Sequence, residues 1–412
     1  MAPASAPGPA SSRAAPSPRY RWVIVAAAAA MLALSMGQLV NGLSVFFLPL
    51  EREFGWARGD IALINTAGVI GLALGGVLMG RLAPLLGTRA LCLFGATALG
   101  VCVALASQAQ ALWQLYALFA LAGAFGGAAF FAPLVALVGN WFAAGAGMAL
   151  GLASAGQALG QGGVPLGAAL LIEQLGWRGA FLALGLATLA VCLPLALLLR
   201  EPPRPETSGP AAPETPPTPL PHGLVVALLS LAVLCCCTLM AGPLMHLAPM
   251  MQGCGLSAPE AGGVMVTMLA VGVLGRLCFG RLADMIGAVP AYMTASLWQT
   301  LMVYGFTRFA TLDGFTIFAA LYGFGYAGVM TGVLTSTRAL IAPSRRAEAT
   351  GLILAFGWAG HGLGGWQAGA LYDLTGGYQL GFAMAAAAGV LNLALMTFMV
   401  VYIRRARAPL PA

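Results

Sequence analysis

Arg276 is the residue whose type and place most clearly ask for chemistry. It lies in an apolar stretch, residues 260–280, about five residues before Arg281. A charge at bilayer depth costs at least about 2.5–3.5 kcal/mol on insertion scales, so something must offset it. Guanidinium is planar, permanently charged and pairs bidentately with a carboxylate, which suits it to holding an organic anion. Snorkelling to the headgroups is the other reading, because five residues of helix rise only about 7.5 Å. Gly272, Gly275 and Gly280 favour a closely packed helix facing a bundle interior.

Other polar residues sit in apolar stretches, each with a plain structural alternative. His246 lies in GPLMHLAP between Pro243 and Pro249, where a broken helix lining a cavity is expected. A histidine there titrates near neutral pH, but one satisfied by backbone or water fits as well. His361 lies in GWAGHGLGGW and is a candidate for lining or packing. Tyr116 either donates to a bound carboxylate or anchors the interface. Tyr322 and Tyr326 are four apart and share a helix face. Asn65 and Thr66, with Gln38 and Asn41, are weaker candidates, since single polar side chains often only cross-bond helices.

The composition says which elements must position these groups. The chain of 412 residues is 60% hydrophobic and 8% charged, against about 45–50% and about 25% in soluble domains. A soluble fold of this size cannot hide so much apolar surface, so soluble enzymes and disordered proteins are excluded and lipid is the solvent. All 19 basic residues are Arg, which removes lysine chemistry. The net charge of +7 is dispersed between apolar stretches, which speaks against nucleic-acid binding. The eight Cys, consecutive at Cys235, Cys236 and Cys237, show no metal spacing. No metal and no cofactor is expected.

A spanning helix needs about 20 mostly apolar residues. Twelve such stretches fit: 22–49, 60–80, 89–107, 111–139, 143–172, 179–199, 223–250, 260–280, 288–308, 314–338, 346–372 and 380–403. The proline-rich segment 200–221 cannot be helical and splits them six and six. The expected fold is an all-α membrane protein, two pseudo-symmetric six-helix bundles. The expected division is a disordered tail 1–21, a bundle 22–199, a linker 200–221, a bundle 222–403 and a tail 404–412. Fourteen arginines fall on the side of the termini; Arg52, Arg58, Arg178 and Arg308 fall on the other, and Arg276 on neither. The positive-inside rule then places both termini in the cytoplasm.

The halves repeat at an offset near 200 residues. GRLAPLLG at 80–87 matches GRLADMIG at 280–287, Gly123 matches Gly323, and Gln161 pairs with His361. Parallel six-span repeats are a secondary-transporter architecture, with the substrate between the halves near the midplane.

These motifs resemble the major facilitator superfamily, whose loop after the second span reads close to G-x-L-A-D-x-x-G-R-R. The second copy keeps Gly280, Arg281, Leu282, Ala283, Asp284 and Gly287; the first keeps Gly80, Arg81 and Gly87 but has Pro84 in place of the Asp. The resemblance implies a gating latch through Arg281 and Asp284, with Arg81 in a weakened copy. Within the superfamily the chain is similar to the monocarboxylate transporter family. Trp141, Phe142, Met148, Ala149, Gly151, Ala153, Ala155 and Gly156 resemble its fifth-span signature, although Ala144, Gly145 and Ala146 replace the usual basic residues. GWRGAF at 176–181 resembles its sixth span. FGW at 54–56, with Gly369, Tyr372, Asp373, Gly376 and Tyr378, resembles bacterial relatives, including oxalate–formate exchangers. The resemblance implies that Arg276 binds the substrate carboxylate. Gly272 stands where many members carry an Asp that pairs with this Arg, and the first span lacks the Lys linked to proton movement in animal members.

The expected function is secondary transport of small monocarboxylates such as lactate or pyruvate, with proton symport, by alternating access in a bacterial inner membrane. Substrate acid, protons and lipid are the expected partners, and a monomer suffices. The proton would travel on His246 or on the substrate acid itself. Oxalate–formate-type exchange and export of an apolar drug or metabolite are the alternatives. A dicarboxylate would favour a second cation, and an exporter a membrane carboxylate. An enzyme is not expected, because no nucleophile–base set or metal motif appears and His222, His246 and His361 are far apart.

Overall fold

The computed structural model describes residues 19–142, 146–202, 218–342 and 345–407. Residues 1–18 of the expected tail, most of the linker, the chain end from 408, and Ala144 and Gly145 lie outside the described residues.

Helix α1 (Tyr20–Met36) passes through a π-helical turn, Gly37–Asn41, and a 3-10 turn, Gly42–Val45, into the short α2 (Phe47–Phe54). Then follow α3 (Arg58–Leu86), α4 (Thr88–Ala106) and α5 (Leu112–Leu121), the last joined through a second π-helical stretch, Ala122–Gly127, to α6 (Ala128–Asn140). Helix α7 (Ala146–Leu198) is two limbs meeting at Gly176, whose φ of 69° turns the chain back. The second half holds α8 (His222–Gly253), α9 (Ala258–Ile286), α10 (Ala288–Val303), α11 (Leu312–Leu340), α12 (Arg346–Thr375) and α13 (Gln379–Arg407). These elements make twelve crossings in two six-helix bundles. Among the described residues nine helical stretches are long and apolar enough to span a membrane, and one of them, 151–198, holds both limbs of α7.

Three features differ from the sequence reading. Helix α1 begins at Tyr20, inside the expected tail, with the Arg21 guanidinium 5.0 Å from the Phe142 ring. Helix α13 runs on to Arg407, since arginine is a good helix former and suits a helix C-terminus. Helix α8 is continuous through Pro243 and Pro249, so no broken helix surrounds His246.

The repeat is written into the backbone. The six positive-φ glycines among the described residues fall into pairs 200 residues apart, Gly55 with Gly255, Gly87 with Gly287 and Gly176 with Gly376. Close helix crossings repeat too. A Cβ on Gly75 would strike the Ala124 carbonyl, and one on Gly275 would strike that of Phe324. Small residues let neighbouring backbones touch, which is how membrane helices associate without a hydrophobic drive.

The bundles meet where α3 packs on α12 and the first limb of α7 packs on α9. Many apolar side chains on the outer surfaces stay exposed, including Leu74, Leu85, Leu277 and Leu374. That surface matches a lipid surround, not water.

Candidate functional site

The central cavity lies between the bundles. Its volume is about 50 Å³, and Val40, Gln157 and Gln161 line it from the first half. The second half contributes Arg276 from α9, Tyr326 from α11, His361 and Trp358 from α12, and apolar residues of α8. Among the described residues the lining carries one guanidinium and no carboxylate. Three residues singled out in the sequence, Arg276, Tyr326 and His361, come together here. Gln161, noted as the repeat mate of His361, faces the same space, and Gln157, four residues before it on α7, is a lining residue the sequence reading passed over.

The irregular end of α1 shapes one wall. The π and 3-10 turns leave carbonyls outside the regular ladder, and in lipid such groups must find partners. Asn65 Nδ2 donates to the Leu39 and Val40 carbonyls, at 2.6 and 3.0 Å. Asn41 Nδ2 donates to the Gln161 carbonyl at 3.1 Å, and Gln38 Nε2 to the Thr188 hydroxyl at 2.7 Å. Asn65 thus fixes the Val40 backbone and does not itself line the cavity. The His361 ring faces the same cavity as Val40, and its buried Nε2 has no partner among the described residues.

Tyr322 is fully buried behind Tyr326, the ring centroids 6.1 Å apart and nearly parallel. It supports the wall without reaching the cavity lining. Tyr116 lies elsewhere, its hydroxyl donating to the Asp60 carbonyl at 2.9 Å.

His246 belongs to a different structure, a seal at the end of the bundle opposite the arginine-rich loops. Here Asp373, near the end of α12, accepts the backbone N–H groups of Arg58 and Gly59 at 2.9 and 2.6 Å. Arg58 is buried; it pairs with Glu51 at 3.0 Å, donates to the Tyr378 hydroxyl at 2.9 Å and lies 4.1 Å from the Tyr372 ring centroid. His246 Nε2 is 2.7 Å from the Gly365 carbonyl and Nδ1 is 3.4 Å from the Tyr378 hydroxyl. The sequence reading took Arg58 only as a topological charge. Glu51 is a near neighbour in the chain, but Tyr372, Asp373 and Tyr378 come from the other half, and spacing along the chain does not show that they meet Arg58.

Beyond this seal Glu53 accepts from Trp177 and pairs with Arg178 at 2.9 Å. The Trp177 hydrogen bond, followed by Arg178, holds the Glu53 carboxyl below the usual range.

At the arginine-rich end the bundles part. A cleft of about 510 Å³ opens between α3, α6 and α12 and shares Leu354 and Trp358 with the central cavity. Arg81, Arg281 and Asp284, the expected latch residues, are exposed there. Neither of the two ion pairs among the described residues involves them. The described residues thus leave a cleft at the arginine-rich end and a hydrogen-bonded seal at the other.

The family profile of the Major Facilitator Superfamily matches residues 23–240 and 227–412. The chain is similar to human monocarboxylate transporter 11, with 28% identity over 397 residues, 89% of this chain and 80% of that protein. It is similar to rat monocarboxylate transporter 13, with 26% identity over 373 residues, covering 89% and 86%. A stretch of 197 residues, 48% of this chain and 40% of the relative, is 32% identical to rat monocarboxylate transporter 3. Among solved structures, an inward-facing, unoccupied bacterial homologue of the human lysosomal transporter Spinster superposes with a TM-score of 0.74 at 18% identity, covering 96% of this chain and 100% of that one. The nucleoside transporter NupG gives 0.71 at 13% identity, covering 92% and 99%. At these identities the two structures show the fold alone.

Proposed function

We propose that this membrane transporter, which belongs to the Major Facilitator Superfamily and is related to its monocarboxylate transporters, carries small monocarboxylates by proton-coupled alternating access. The supporting observation is the lining of the central cavity: the Arg276 guanidinium together with polar groups from both halves. Arg276 binds the carboxylate bidentately. Tyr326 and the amides of Gln157 and Gln161 supply further donors, so cargo bound to both halves feels their relative motion.

His361 receives the proton. Its buried Nε2 accepts the acid proton, which leaves an imidazolium and a carboxylate beside Arg276 in one small cavity, so the loaded and the empty site carry the same net charge. His246 is less suited, because both its ring nitrogens are engaged in the seal. This moves the expected proton site from the seventh crossing to the eleventh.

The arginine-rich loops and both termini face the cytoplasm of a bacterial inner membrane, as the arginine asymmetry and the bacterial motifs favour. The halves of the site come from one chain, so a monomer suffices. Closing the cleft, with Arg281, Asp284 and Arg81 in the contact, and breaking the Asp373–Arg58–Tyr378 seal would expose the same cavity to the other side. Counterflow of labelled lactate in proteoliposomes, competed by a panel of acids with and without a proton gradient, tests the assignment. Competition by monocarboxylates is expected; none by any monocarboxylate would overturn it.

A further inference from the structure

The cleft at the arginine-rich end is a wide, apolar passage for a small hydrophilic anion. Its walls are Leu72 and Val77 of α3, Phe131 and Val135 of α6, and Leu354 and Trp358 of α12, with alanines and glycines between them. Thr350 is its one side chain with a polar atom besides the Trp358 indole. A lactate or acetate ion leaving this way meets only these two donors along otherwise apolar walls.

The two volumes divide the work. The Arg276 cavity, about 50 Å³, has room for a few waters, each needing at least about 10–15 Å³, and so for a carboxylate headgroup. The adjoining cleft, about 510 Å³, lies in the range of pockets that bury drug-sized molecules, about 300–1,000 Å³. Leu354 and Trp358 belong to both, so a molecule held at Arg276 has its remaining atoms beside them. Phe131 meets Trp358 edge to face at 6.1 Å between centroids, which makes an aromatic wall where cavity and cleft join.

We infer that the cleft is a tail subsite, and that the preferred cargo is a monocarboxylate bearing an apolar tail, such as a medium-chain aliphatic or arylalkanoic acid. This inference rests on the Arg276 reading. The carboxylate stays on Arg276 while the tail lies against Phe131, Trp358 and Leu354. Each buried methylene then improves affinity about fourfold, so a hexanoate outcompetes acetate by on the order of a hundredfold.

The test is inhibition of counterflow in proteoliposomes by acetate, butyrate, hexanoate and phenylacetate, for the native chain and three variants. A Cβ at Gly76 or Gly351 meets nothing within 4 Å, so Gly76→Leu and Gly351→Leu fill the cleft without a built-in clash. The expected result is a steep rise in potency with tail length in the native chain. In both glycine variants hexanoate falls at least tenfold towards acetate, with acetate inhibition unchanged. Arg276→Gln shows no counterflow of labelled lactate. A flat series in the native chain overturns the tail subsite, as does an equal loss of acetate and hexanoate in the glycine variants. Near-native counterflow in Arg276→Gln overturns the carboxylate reading instead, and the tail subsite with it.

Discussion

The carboxylate of Asp373, near the end of α12, accepts the backbone N–H of Gly59, in the first turn of α3, at 2.6 Å. One residue thereby ties the start of a helix in one half to the end of a helix in the other. Its second oxygen takes the N–H of Arg58, so two of the donors that a helix N-terminus leaves open are satisfied by an anion favoured there. Replacing Asp373 with Ala should cost the sealed state about 1–2 kcal/mol, roughly a tenfold shift in population. Thr66 donates to the Gly362 carbonyl across the same junction. In a background without the native cysteines, Thr66→Cys should react with an impermeant maleimide about tenfold faster when Asp373 is Ala. An unchanged rate would mean that this contact does not hold the seal.

The proton step gives a separate expectation. His361→Gln keeps an amide in the cavity and removes the titratable nitrogen. Exchange of labelled acid at equal pH should persist, while accumulation driven by a pH gradient should be lost. His246→Gln should leave gradient-driven accumulation in place. Accumulation undiminished in His361→Gln would place the proton elsewhere.

Glu53 yields a pH dependence of stability outside the membrane spans. Its folded carboxyl is held low by Trp177 and Arg178, so its contribution is present in full above the ordinary glutamate range, about 4. It is lost as the pH falls through the lower folded value. Melting in detergent should show Glu53→Gln below the native chain at pH 7, with the gap closing below about pH 4. A gap that persists in acid would assign the difference to packing.

Helix α9 reaches α11 at Gly275, one residue before Arg276, where a side chain would strike the Phe324 carbonyl. Gly275→Ala should destabilise the second bundle by about 1–3 kcal/mol through overpacking and lower the yield of monodisperse protein. Gly76→Ala, with open space at its Cβ, is the matched control and should behave as the native chain.

Much of this architecture is legible in the sequence, because lipid imposes a simple code. Long apolar stretches become crossings, and a buried arginine among glycines marks an interior helix. The offset of 200 residues that aligns the loop motifs also aligns the backbone turns at Gly176 and Gly376. What spacing does not carry is the meeting of distant segments. Arg58 reads as one more loop charge, yet Tyr372, Asp373 and Tyr378 of the other half meet it. Asn65 reads as a cavity residue, yet it serves the carbonyls freed by the π turn of α1, which no propensity in that run announces. The prolines around His246 suggest a break, but α8 continues, its buried face held by neighbours on both sides.

The central claim is that Arg276 holds the transported carboxylate, and uptake of labelled lactate by proteoliposomes tests it most directly. Arg276→Lys, which keeps the charge but not the planar fork, should lose at least about tenfold in uptake, and Arg276→Gln should lose it altogether, with both variants monodisperse. Near-native uptake in Arg276→Gln would contradict the account.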